Sequence, residues 1–263
     1  MNEPLVAVGI GNTTITFGVH DSLGDAECGN PAENKVHWKW SQLITVETAG
    51  FDPAAVALNT PASASWCVAS VHRPSEQRLA AWVRESNTGA SYRDLIAGDL
   101  PIKVCVEQPN RVGMDRLAAA VAVNQLRDPL APAVIVDAGT AITVDLVSQQ
   151  GDFLGGAILP GMQLVSQALS AKTDQLPQVD PCFRQSAPNA LGRSTDGAIR
   201  SGLFWGSVGA IRELVERIGA SVNGSPQLFL TGGDAERLAP FISKDAVFVR
   251  DLVIGGILTA AAT

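Results

Sequence analysis

Apolar residues fall in short runs that stop at glycine-rich turns. Residues 5–8 are an unbroken apolar run, which predicts a buried strand, and the run ends at Gly9-Ile10-Gly11-Asn12-Thr13-Thr14. Over 15–19 apolar residues alternate with small or polar ones, so a second strand follows at once. Residues 21–36 carry Gly, Asn, Pro and Asp and read as a loop. Residues 65–71 predict another short buried strand and 75–85 a helix. A further helix is expected over 115–127, where Leu117, Ala118, Val121 and Leu126 stand among good helix formers. Asp128-Pro129-Leu130-Ala131-Pro132 breaks it.

A second unit then begins in the same way. Residues 133–136 predict a buried strand that ends at Asp137-Ala138-Gly139-Thr140, and 141–147 predict its partner. Side by side, Val8-Gly9-Ile10-Gly11-Asn12-Thr13-Thr14-Ile15-Thr16 and Val136-Asp137-Ala138-Gly139-Thr140-Ala141-Ile142-Thr143 coincide in strand, Gly, Thr and Ile-Thr once one residue is deleted. An internal repeat at about half the chain length predicts two similar domains, 1–128 and 129–263, each with a Gly/Thr turn at a strand end.

The second half continues as α/β. Residues 152–161 form a Gly-rich strand and turn, and 227–230 a strand that stops at Thr231-Gly232-Gly233. Ser194 or Thr195 can cap a long helix reaching about residue 218, with Asp196 in its first turn and Ile199, Leu203, Ile211, Leu214 and Ile218 on its apolar side. Gly202, Gly206 and Gly209 lie on one face of that helix. Each costs about 1 kcal/mol in a helix, so close approach of another backbone is expected there, from the same chain or from a second subunit.

Composition narrows the partners. The 263 residues are 46% hydrophobic, enough for a large core and against disorder. The net charge of −7 disfavours duplex nucleic acid, which needs clustered Lys and Arg, but leaves open a nucleotide held by backbone N–H groups. Met1-Asn2-Glu3-Pro4 has no basic leader region, and the weakly polar run 252–262 is shorter than the roughly 20 residues that span a bilayer. The expectation is a cytoplasmic protein without a membrane anchor. Cys28, Cys67, Cys105 and Cys182 form no CxxC pair and are expected as reduced, buried thiols. They and His20, His37 and His72 show no zinc-ligand spacing.

Two common nucleotide motifs are excluded. No GxxxxGK[ST] occurs. Gly9-Ile10-Gly11 follows a strand, but position 14 is Thr and a strand follows where a dinucleotide site needs a helix. A lone Gly-Asn-Thr turn is more often only a hairpin. Two such turns in a repeat suit a triphosphate, because glycine admits phosphate to the backbone and N–H and Thr hydroxyl groups donate to its oxygens. Gly113-Met114-Asp115-Arg116 opens the 115–127 helix. Its Asp can be a cap, or a carboxylate that takes a proton from a substrate hydroxyl while Arg116 holds an anionic group.

These residues resemble the type III pantothenate kinases, of the actin/hexokinase/Hsp70-like superfold. Gly11-Asn12-Thr13 is similar to the end of that family's DxGNT turn, Gly113-Met114-Asp115-Arg116 to its GxDR and Asp137-Ala138-Gly139-Thr140 to its DxGT. Leu154-Gly155-Gly156-Ala157 with Pro160-Gly161 resembles LGGAIxPG, and Gly192-Arg193-Ser194-Thr195 resembles GxNT, with Ser201-Gly202 in the helix behind it. Five motifs in register span nearly the whole chain.

The resemblance implies duplicated actin-like (ribonuclease H-like) α/β domains with an interdomain cleft, and ATP-dependent phosphorylation of pantothenate, the first step toward coenzyme A. It implies Asp115 as general base, and Gly113, Met114, Asp115, Arg116 and Thr195 as pantothenate contacts. Gly11, Asn12, Thr13, Thr14 and Thr140 would contact ATP, brought with Mg²⁺. Asp137 would hold a monovalent cation, K⁺ or NH₄⁺, and the protein would be a homodimer. Two residues depart from the pattern. Gly9 stands where the first motif has Asp, and the Tyr that the family often has a few residues ahead of GxDR is missing: Tyr92 is the one tyrosine and Val106 is nearer the expected place. The loss at Gly9 keeps open a noncatalytic nucleotide- or pantothenate-binding regulatory homologue.

Overall fold

The computed structural model describes residues 4–21, 38–56, 63–86, 90–181 and 187–262. Residues 1–3, Cys28, His37, Cys182 and all but the first residue of the expected 21–36 loop lie outside them. The chain forms two compact units. The first holds Met1–Arg127, Gly151–Phe153 and Asp251–Thr263, the second Asp128–Gln150 and Leu154–Arg250.

The first unit is built on β1 (Leu5–Ile10), β2 (Thr14–His20), β3 (Gln42–Glu47), β4 (Ser65–Ser70) and β5 (Ser91–Asp94), in the order β3-β2-β1-β4-β5. Side chains alternate across such a sheet. Val6, Val8, Ile10, Phe17, Trp66 and Val68 therefore share one face, packed with Leu79 and Val83 of helix α1 (Arg73–Ser86). The other face carries Gly9 and Gly18, against helix α6 (Leu252–Ala261). That helix is apolar nearly all round, so it needs burial on more than one side. It packs closely enough that a Cβ at Gly256 would stand 1.8 Å from the Ala118 carbonyl oxygen of helix α2 (Met114–Leu126). The expected 128/129 division thus falls beside the Arg127–Asp128 step, but the last helix packs in the first unit and not with the second half of the sequence.

The second unit repeats the plan with β6 (Ala133–Ala138), β7 (Ala141–Val147), β8 (Phe153–Pro160), β9 (Gln227–Thr231) and β10 (Val247–Phe248), ordered β10-β9-β6-β7-β8. In each sheet the first strand runs antiparallel to the second and parallel to the fourth. Helices α3 (Met162–Lys172), α4 (Thr195–Gly219) and α5 (Ala235–Ile242) accompany this sheet. Val134, Val136, Val144 and Leu230 meet Ile199, Leu203, Ile211 and Leu238 in its core. Ser194 is the cap of α4, its hydroxyl accepting the Gly197 N–H at 3.0 Å, and Thr195 is the first helical residue.

Two expectations change here. Nothing lies within 4 Å of a Cβ placed at Gly202, Gly206 or Gly209, so packing among the described residues does not account for the glycine face. Of the thiols, Cys67 is buried and burial pushes its pKa up, whereas Cys105 is exposed on an irregular segment. Among the described residues no helix is long and apolar enough to cross a membrane.

Candidate active site

The first Gly/Thr turn joins β1 to β2. Ile10 pairs with Ile15, and the Gly11 N–H closes the turn on the Thr14 carbonyl at 2.9 Å. Asn12, Thr13 and Thr14 are exposed. Behind the turn stands Thr48, the residue after β3, which is 4% exposed. Its hydroxyl donates to the Gly11 carbonyl at 2.9 Å and its backbone N–H to the Thr13 carbonyl at 2.8 Å. No sequence signal points to Thr48, because its partner lies 37 residues away.

The Gly-x-Asp-Arg segment sits at the same end of the first sheet. The Val71 N–H donates to the Ile10 carbonyl at 2.9 Å, and Val71 Cγ1 lies 3.8 Å from where Gly113 would carry a Cβ. Gly113 is the N-cap of α2 and Asp115 lies in its first turn. The Asp115 carboxylate folds back so far that a Cβ at Gly113 would be 2.5 Å from its Oδ1, while Oδ1 accepts the Arg116 N–H at 2.8 Å. A side chain at position 113 would have to displace that carboxylate. The positive end of the helix dipole favours an anion at this position. The Arg116 guanidinium lies over the Phe153 ring, 5.5 Å from its centre, a fixed cation beside the acid. Asp115 and Arg116 are both half-buried.

Gly9 is a regular strand residue, paired with Thr16 and Ala69. A Cβ there would lie 2.9 Å from Ile254 Cδ1 and 3.7 Å from Val253 Cγ1. Side chains of α6 occupy the space into which a carboxylate would project. Tyr92 does not stand in for the missing tyrosine: it packs against the core on the α1 face, below the Arg84 guanidinium, and burial pushes its pKa up.

In the second unit Asp137 holds the place of Gly9, fifth in its strand and opposite Thr143 and Thr231. The turn that follows is gripped from two sides. Gly161, after β8, donates its N–H to the Thr140 carbonyl at 3.0 Å, and a Cβ on it would be 2.1 Å from the Gly139 carbonyl oxygen. Gly232 has φ +98°, and a Cβ there would be 2.4 Å from both the Ala138 carbonyl oxygen and Asp137 Oδ1. The Asp234 N–H donates to the Ala138 carbonyl at 2.9 Å. Burial pushes the Asp234 carboxyl up in pKa, and its ion pair with Arg237 draws it back down. Thr195 joins this end of the unit: with Ile142, Pro160, Leu159, Ile199 and Gly202 it lines a mostly apolar groove of about 530 Å³. Gly192 lies against the first turn of α4, where a Cβ would be 2.3 Å from the Ala198 nitrogen.

Among the described residues no group of three or more His, Cys, Asp or Glu side chains could hold a metal ion. Mg²⁺ with a nucleotide needs one or two carboxylates, the rest being phosphate oxygen and water. Asp137, half-buried at the turn, supplies one carboxylate. Asp145, two residues beyond Thr143 on the same face, is 1% exposed and lies under the Gly156 backbone, so it is closed off as a ligand. Gly9 supplies none. The residues fit one cation at Asp137 and a Mg²⁺ brought in and held by phosphate oxygens and water.

Comparison with known proteins agrees with the motifs. The family model for type III pantothenate kinase matches residues 5–217. A type III pantothenate kinase of Gluconobacter oxydans is 34% identical over 263 residues, covering 96% of this chain and 91% of that protein. One from Rhodospirillum rubrum is 31% identical, covering 97% and 96%. Among solved structures, a conserved Campylobacter jejuni protein assigned to the Baf family of transcriptional activators has a TM-score of 0.61 at 21% identity, covering 98% of this chain and 96% of its own. The ethanolamine utilization protein EutJ from Carboxydothermus hydrogenoformans has a TM-score of 0.51 at 14% identity, covering 98% and 89%. At these identities the structural likeness is one of fold.

Proposed function

The chain belongs to the type III pantothenate kinase family, and from that premise we propose how its residues carry the family's reaction, transfer of the γ-phosphoryl group of ATP to the hydroxyl of pantothenate on the way to coenzyme A. The observation that carries the assignment is the meeting of Asp115 and the first Gly/Thr turn at one end of the first sheet, linked through Val71. Phosphoryl transfer asks the protein mainly for positioning and charge neutralisation. As the pantothenate oxygen bonds to phosphorus and the bond to ADP breaks, the Asp115 carboxylate takes the hydroxyl proton. Gly113, Met114, Arg116 and Thr195 contact pantothenate, and the Arg116 cation faces its carboxylate. Gly11, Asn12, Thr13, Thr14 and Thr140 give N–H and hydroxyl donors to the phosphates. Mg²⁺ arriving with ATP would neutralise phosphate charge, held by phosphate oxygens and water. Asp137 is the carboxylate we assign to the monovalent cation, K⁺ or NH₄⁺. The open face of Gly202, Gly206 and Gly209 beside an apolar groove supports a homodimer through α4. Use of ATP supports a cytoplasmic location.

A second reading, a homologue that binds nucleotide or pantothenate without turnover, is favoured by one observation: Ile254 fills the space beside Gly9. A coupled assay of ADP release separates the two. We expect release that requires pantothenate, needs raised Mg²⁺ and is faster in potassium than in sodium buffer. ATP binding without pantothenate-dependent release at any Mg²⁺ concentration selects the second reading. Equal rates in the two buffers remove the cation from Asp137.

A further inference from the structure

We propose that Thr48 is a positioning residue for the nucleotide, setting the first Gly/Thr turn from behind so that its amides point outward. This rests on the reading of Gly11, Asn12, Thr13 and Thr14 as the phosphate turn. The carbonyls of Gly11 and Thr13 both turn inward to Thr48, at 2.9 Å to its hydroxyl and 2.8 Å to its N–H. In a trans peptide the C=O and the following N–H point in opposite directions. Fixing the Gly11 carbonyl on the Thr48 hydroxyl therefore directs the Asn12 N–H away from the protein, where residue 12 is exposed. Thr48 is 4% exposed, and a β-branched residue has few χ1 choices, so the hydroxyl is held in place before any ligand arrives.

The second unit repeats the device, which argues against a chance contact. Gly161 follows β8, the third strand of its sheet, as Thr48 follows β3 in the first. It donates its N–H to Thr140, the counterpart of Thr13. There the approach is so close that no side chain fits, with 2.1 Å from a Cβ to the Gly139 carbonyl oxygen. The brace has become backbone alone. In the first unit a side chain fits, and its hydroxyl makes the second bond.

The test uses the full chain and two readouts, steady-state kinetics with ATP and pantothenate varied separately, and equilibrium binding of ATP. Thr48→Val keeps the shape and removes the donor; Thr48→Ala is a second hydroxyl-free variant. We expect each to raise the KM and Kd for ATP about tenfold, the size of one lost hydrogen bond. kcat and the KM for pantothenate should change less than about twofold. Thr48→Ser, which keeps the hydroxyl and loses the methyl, should bind ATP as wild type does. An ATP KM raised as much by Ser as by Val traces the effect to packing and overturns the proposal. Thr13→Ala tests the underlying reading: if it weakens ATP binding and Thr48→Val does not, the brace is wrong; if neither does, the turn is not the phosphate site.

Discussion

Gly9 and Asp137 occupy one position in two copies of the same hairpin, each fifth in its strand and opposite a Thr on the next. The second copy has the acid; the first has none, and Ile254 fills the space. Restoring the acid is therefore a packing problem. The backbone at Gly9 is ordinary strand, and what stands in the way is the Cδ1 methyl of Ile254, the far end of a side chain. Gly9→Asp alone should lose about 1–3 kcal/mol of stability, the range for overpacking. Gly9→Asp with Ile254→Val removes that methyl and should recover part of the loss in denaturant titrations. The double variant should also gain in kcat/KM at limiting Mg²⁺ and less at saturating Mg²⁺, since a protein carboxylate for the metal matters most when metal is scarce. A double variant as stable as wild type with no gain at low Mg²⁺ would mean that the missing acid is not what limits this protein.

At the scale of elements, periodicity made most of the fold legible. Buried runs and alternation marked β1, β2, β4, β6, β7 and β9, and Asp115 and Ser194 marked the starts of α2 and α4. Sequence reading gave no element at β3, whose alternate residues are half-buried and exposed without a clear apolar face. Strand β10 has two residues, too few to show a period. Helix α6 is apolar on nearly every side and so reads as a hydrophobic run. The chemistry-bearing residues were readable because motifs are local. Of their supports, Gly161 and Gly232 stood out as turn residues, but the carbonyls they press on lie far away in sequence, and Thr48 carried no signal at all. The support at Gly161 is testable by itself. Gly161→Ala puts a methyl against backbone oxygens that cannot swing aside, so the destabilisation should reach the upper part of the 1–3 kcal/mol overpacking range. ATP binding should weaken with it, because Thr140 moves. A Gly161→Ala protein with wild-type stability and ATP affinity would show that the turn is not held from that side.

Across the whole molecule the duplication is visible twice, as a repeated Gly/Thr hairpin in the sequence and as two sheets with one strand order. What differs between the copies carries the account. The first unit has the acid on α2 and the hydroxyl brace; the second has Asp137 at the turn and an apolar groove lined in part by Thr195. The final helix belongs with the first unit because its apolar surface and two glycines fit Trp38 and α2, a pairing with no local trace in the sequence. The central claim is that this chain turns over pantothenate with Asp115 as its base. It is tested most directly by kcat for pantothenate-dependent ADP release in Asp115→Asn, which keeps the shape of the side chain and cannot accept the proton. The account predicts a fall of about 10²-fold or more, with ATP binding and thermal melting unchanged. A variant that folds, binds ATP and keeps near-wild-type kcat would contradict it.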